Sequence, residues 1–135
     1  MTALQLCRDT GHRPGEADAL SELGALQLAT GDYPAASASL ARALELYQEL
    51  GIRSGEATVL NTIGEVLVAT GQPGQSGLAR PNFEAALRIA IAIALRREQA
   101  RAMAGLVRES PQKPQQEPQQ EPQQEAQQEP QQERR

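Results

Sequence analysis

Few side chains in this sequence have the types and spacing that chemistry needs. His12 is the single histidine and Cys7 the single cysteine. A cysteine nucleophile needs an oriented base to take its proton. Nothing in the sequence orients His12 onto Cys7, which is expected to act as a small packed hydrophobe on the first helix. His12 stands beside Arg13-Pro14 in an expected loop between helices, exposed to solvent, and no second His or Cys completes a metal site. Gly74-Gln75-Ser76-Gly77 sets a serine between glycines, but it lacks the second glycine at nucleophile-elbow spacing and the strand that must precede it. Asp18, Glu22, Glu45, Glu49 and Glu56 fall at the helical spacings of solvated faces. No Gly-x4-Gly-Lys-Ser/Thr run is present to cradle a phosphate. The sequence predicts no enzyme, no cofactor and no metal.

Composition narrows the elements that could hold any site. The 135 residues are 39% hydrophobic and only 2% aromatic, with 22 Ala and 16 Leu. A sheet core leans on aromatic and β-branched side chains, whereas Ala and Leu favour helix. An all-β fold is excluded. One cysteine allows no internal disulfide, which makes a reducing compartment the default. The N-terminus lacks a basic segment followed by an apolar run, so no signal peptide is expected. The most apolar window, Ile89 to Leu95, is bounded by Arg88 and Arg96 and is far short of the roughly 20 residues a membrane span needs. A cytoplasmic protein with no membrane partner is expected. A net charge of −4 gives no general attraction to nucleic acid.

The chain divides into two materials. Residues 110–135 hold 11 Gln, five Pro and five Glu, mostly in Pro-Gln-Gln-Glu units, with Ala126 as the only aliphatic side chain. Such a segment has nothing to bury against the entropy of ordering, and its prolines block a continuous helix. A disordered tail is expected there.

The remaining 1–109 repeats itself. Shifted by 40 positions, Gly11, Arg13, Gly15, Glu16 and Ala17 fall on Gly51, Arg53, Gly55, Glu56 and Ala57. Leu20, Gly24 and Ala29-Thr30-Gly31 fall on Leu60, Gly64 and Ala69-Thr70-Gly71, and Ala3-Leu4 falls on Ala43-Leu44. Beyond Gly71 the offset becomes 43, which an insertion within Gln72 to Ala79 explains. Each unit reads as two helices. Ala17, Leu20, Leu23, Leu26 and Leu28 give the first apolar stripe, ended by Gly31. Asp32 then caps the second helix, Pro34 sits in its first turn, and Ala36, Leu40, Ala43, Leu44 and Tyr47 form its stripe. The alternation from Ile89 to Leu95 could be a strand, but the alignment assigns it to a helix. The expected organisation is a half repeat 1–10, repeats 11–50 and 51–93, a partial repeat 94–109, and the tail.

This pattern resembles the tetratricopeptide repeat in a form of about 40 residues. Leu20, Leu23-Gly24, Gly31-Asp32-Tyr33, Ala36, Leu40 and Ala43 carry the resemblance in the first unit; Leu60, Ile63-Gly64, Gly71, Ala79, Phe83 and Ala86 carry it in the second. Leu50 to Ala57 and Ala69 to Gly71 also look like repeats in the C-terminal arrays of actinomycete NB-ARC-type and antibiotic-regulatory signalling proteins. The resemblance implies an all-α solenoid of antiparallel helix pairs. Pro81 departs from the pattern and leaves the start of the second unit's second helix open.

The function implied by the resemblance is a non-catalytic protein-interaction module whose first helices line a concave groove for a partner peptide or helix. The groove-facing positions implied are Asp18, Ser21, Glu22, Ala25 and Leu28, then Thr58, Asn61, Thr62, Glu65 and Val68, then Arg101, Ala104 and Arg108. Asp18, Ser21 and Ala25 do not supply the basic clamp that would hold a C-terminal carboxylate. Residues 88–108 carry five Arg against one Glu. With no aromatics between them for base stacking, they are expected to form a solvated rim. The alternative is a fragment or shortened relative of a bacterial transcriptional or signal-transduction regulator. It would act by self-association or by joining the longer regulator.

Overall fold

The computed structural model describes residues 2–71 and 76–109. They form six helices: α1 (Ala3–Thr10), α2 (Arg13–Thr30), α3 (Tyr33–Leu50), α4 (Arg53–Thr70), α5 (Ser76–Ala92) and α6 (Arg96–Glu109). The expected tail, 110–135, and part of the expected insertion lie outside the described residues.

Local chemistry fixes the helix ends. Thr2 accepts a hydrogen bond from the Gln5 N–H while the Gln5 side chain accepts from the Thr2 N–H, a capping box that starts α1 at Ala3. Asp32 caps α3 through the Ala35 N–H, as the sequence predicts, with Pro34 in the first turn. His12 has a role that sequence reading missed: its Nδ1 accepts from the Gly15 N–H and caps α2. Gly11, Gly31, Gly51 and Gly71 end α1 to α4 with φ between 61° and 86°, in the left-handed region that L side chains resist. Between α5 and α6 the same place falls to Ala94, at φ 59°. The Ala94 and Leu95 N–H groups donate to Ile91 and Ala90, repeating the pattern of Gly51 and Ile52 onto Gln48 and Tyr47.

Pro81 does not break the fifth helix. α5 starts at Ser76 and runs through it, which settles the start that the sequence left open. The Ile89 to Leu95 stretch is helical up to Ala92, and its last residues form the turn into α6.

Packing follows small-into-large pairing. A Cβ on Gly24 would lie 2.6 Å from the Leu40 side chain, and one on Gly64 would lie 2.7 Å from the Phe83 ring. A Cβ on Gly105 of α6 would lie 2.4 Å from the same ring. Ala36, Ala43, Leu40, Leu46 and Val59 are fully buried in one core with Leu20 and Tyr47; Ala57, Leu60, Ala86, Ile89 and Ala102 form a second. Glycines and alanines bring the helix axes close, and the large residues fill the space opposite, at the density cores require.

Candidate functional site

Helices α2, α4 and α6 touch one another in succession, whereas α1, α3 and α5 make no such contact among the described residues. Stacked helix pairs whose first helices meet and whose second helices splay apart must curve toward the first row. The inner side of the curve therefore carries α2, α4 and α6.

The predicted groove residues differ widely in setting. On α2, Asp18, Glu22 and Ala25 are exposed, and Ser21 and Leu28 are half-buried. Asp18 Oδ1 accepts a 2.6 Å hydrogen bond from the Tyr47 hydroxyl, which ties α2 to α3. Burial first, then this bond and the Asp18 charge, push the Tyr47 hydroxyl well above its ordinary value of 10.0. On α4, Thr58, Glu65 and Val68 are half-buried, but Asn61 is fully buried and Thr62 nearly so. On α6, Arg101 is half-buried, and Ala104 and Arg108 are exposed.

Asn61 and Thr62 are inside the α4–α6 contact. Asn61 Nδ2 donates to the Glu98 backbone carbonyl at 3.1 Å and to its carboxylate at 2.9 Å. Both facing atoms are acceptors, so the amide must present its NH2 group. Arg101 donates to Glu98 and to Glu65, each at 2.9 Å, and to the Thr62 hydroxyl at 3.2 Å. Glu98 is only 4% exposed. A buried carboxylate is costly unless it is paired and hydrogen-bonded, and here it is both. Four predicted groove residues (Asn61, Thr62, Glu65 and Arg101) thus share one network with a residue that sequence reading did not single out. The spacing Glu98–Arg101 was a possible signal, since three residues on a helix bring opposite charges together.

A cleft of about 390 Å³ opens between α1 and α2, lined by Thr2, Leu4, Ala19, Leu23 and Leu26 among others. Sequence reading did not anticipate it. Elsewhere the chemistry is sparse. Cys7 and His12 both face the α-carbon of Gly15, and among the described residues no group of three His, Cys, Asp or Glu could hold a metal ion. No described helix is long and apolar enough to cross a membrane.

No curated protein matches the chain. A family model for the tetratricopeptide repeat matches residues 1–49 and 17–76, together more than half of the sequence. The helix pairs, their small-to-large packing and the inner row of first helices agree with that match, and the chain belongs to the tetratricopeptide repeat family.

Proposed function

We propose that this protein binds a segment of another protein along the inner row of α2, α4 and α6, and does no catalysis of its own. Tetratricopeptide repeats mediate protein–protein interaction. The observation that carries the reading here is the contact of α2 with α4 and of α4 with α6, without equivalent contacts between the outer helices among the described residues.

The partner would meet Asp18, Glu22 and Ala25 at one end, Thr58, Glu65 and Val68 in the middle, and Arg101 and Arg108 at the other. Thr62 would hold Arg101 in place directly, and Asn61 through Glu98. Ser21 and Leu28 would supply the half-buried floor near α2. The exposed charge runs from acidic on α2 to basic on α6, so a segment with the reverse polarity suits it, and its on-rate should depend on salt.

Site-specific photo-crosslinking tests this. A photoreactive residue at Glu22, Val68 or Arg108 should capture a common partner, whereas one at Ala41 of α3 or Arg88 of α5 should not. Equal capture from inner and outer positions would sink the proposal.

A further inference from the structure

We propose that the α5–α6 turn opens, that α5 and α6 then join into one helix, and that two copies of the chain exchange their α6 helices to form a closed dimer. The turn itself starts the argument. The α3–α4 and α5–α6 turns carry the same pair of backbone hydrogen bonds, from Gly51 and Ile52 in one and from Ala94 and Leu95 in the other. Gly51 takes its φ of 71° without strain, as do Gly11, Gly31 and Gly71 at theirs. Ala94, at φ 59°, is the one residue other than glycine with positive φ among the described residues. Its Cβ crowds the following carbonyl oxygen in that conformation.

Nothing else in the turn resists helix. Ile91 to Arg97 holds no Gly, Pro, Asn, Asp or Ser, and its Ala, Leu and Arg are among the strongest helix formers. Leu95, the residue before α6, has no side-chain acceptor with which to cap it. In a continuous helix the first N–H groups of α6 pair with the last carbonyls of α5. The closed turn also leaves Ile91 58% and Ile93 38% exposed.

The packing of α6 holds the turn shut. Gln99 Nε2 donates to the Ala90 carbonyl, Asn61 to Glu98, and Arg101 to Glu65 and Thr62. Ala102 is fully buried against Ala57, Leu60, Ala86 and Ile89, and Gly105 lies on the Phe83 ring. Straightening carries α6 away from this surface and uncovers Asn61 and Phe83, which are 0% and 1% exposed when closed. The α6 of a second copy restores each of these contacts, apolar and polar alike. That match selects a second copy as the occupant. Two chains that exchange α6 satisfy each other, so association is two-fold and stops at a dimer. The α6 contacts cancel between the closed and exchanged forms. What remains is the relief of two strained turns against the freedom lost on joining two chains. Each inner row then takes Arg101 and Arg108 from the other copy, and the inference holds whatever that row binds.

Size-exclusion chromatography with light scattering, on the full chain unfolded and refolded at about millimolar concentration, tests this. That concentration approaches the one at which a tethered helix meets its own site. A species of twice the 14.5 kDa chain mass should form beside the monomer. Ala94→Gly relieves both turns and should lower the association constant about 30-fold. Ala94→Val, which resists positive φ more strongly, should raise it. Chains carrying Glu65→Cys or Arg101→Cys, each with Cys7→Ser, identify the exchanged helix when refolded together and treated with a short bismaleimide. Each chain has one thiol, so a covalent heterodimer should form only where α6 of one copy lies on α4 of the other. A wild type that refolds only as monomer would overturn the proposal. So would a dimer indifferent to Ala94→Gly, or one in which the two thiols do not join.

Discussion

Val59 and Val66 carry α4 into the core of the first unit, whereas Asn61, Thr62 and Glu65 carry another side of the same helix to α6 through hydrogen bonds. The two junctions join equivalent helices. The first is apolar and is backed by Leu20, Leu46 and Tyr47. The second adds a buried carboxylate, Glu98, held by Asn61 and Arg101, to the small contacts of Leu60 and Ala102. Apolar contact is proportional to area and indifferent to direction. Hydrogen bonds in a buried network are directional, and leaving one unmade is expensive. The first junction is therefore held by apolar burial, while the second adds to its own apolar contacts a polar network that fixes one angular placement of α6.

The largest effects should come from the side chains that fill the space opposite the glycines. Phe83→Ala should cost about 3–5 kcal/mol and Leu40→Ala about 2–5 kcal/mol in chemical denaturation, because each leaves a cavity. If the pairs are equivalent, both losses should be large. Phe83 should also loosen α6, since its ring contacts Gly105 as well as Gly64.

A smaller effect separates the junctions. Asn61→Ala removes the amide that donates twice to Glu98, leaving Arg101 as its remaining donor, and should cost about 1–3 kcal/mol. Tyr47→Phe removes one hydrogen bond to a carboxylate, but Asp18 is exposed and water replaces the lost donor, so the cost should be about 0.5–1.5 kcal/mol. Equal losses would weaken the contrast drawn between the two.

The Tyr47 hydroxyl adds a dependence on pH that belongs to the first junction alone. Its value is raised in the folded protein. The unfolded chain therefore loses that proton first, and the linked stability is complete below about pH 10 and lost as pH rises further. Thermal melts followed across this range should show a steeper alkaline decline for wild type than for Tyr47→Phe.

The smallest change should be a gain. Ala94 holds a conformation that glycine holds at the other four turns, so Ala94→Gly should stabilise by about 1 kcal/mol. Gly51→Ala should lose a similar amount at the equivalent place. An unchanged melting temperature for Ala94→Gly would show that the α5–α6 turn relaxes in solution.

Much of this is legible in the sequence. Offsets of 40 and 43 place α1 to α6, and the small residues at 24, 36 and 43 foretell where helices approach. Helical period and repeat spacing are properties of the chain itself, which is why they can be read. The 43 offset also sets Ala94 beneath Gly51, which marks it as the residue at the left-handed turn position. The α4–α6 network was not legible, because a charged residue such as Glu98 is ordinarily a surface residue and only its three-dimensional neighbours bury it. The same holds for His12, whose role as a cap depends on one rotamer of its ring.

Hydrogen–deuterium exchange on Arg101→Met tests the contrast most directly. Removing the guanidinium leaves Glu98 without its charge partner but leaves the first core untouched. The amides of α6 should then lose protection while those of α2 and α3 keep theirs. Unchanged exchange in α6, or an equal loss in every helix, would contradict the division between an apolar junction and one whose polar network sets the placement of α6.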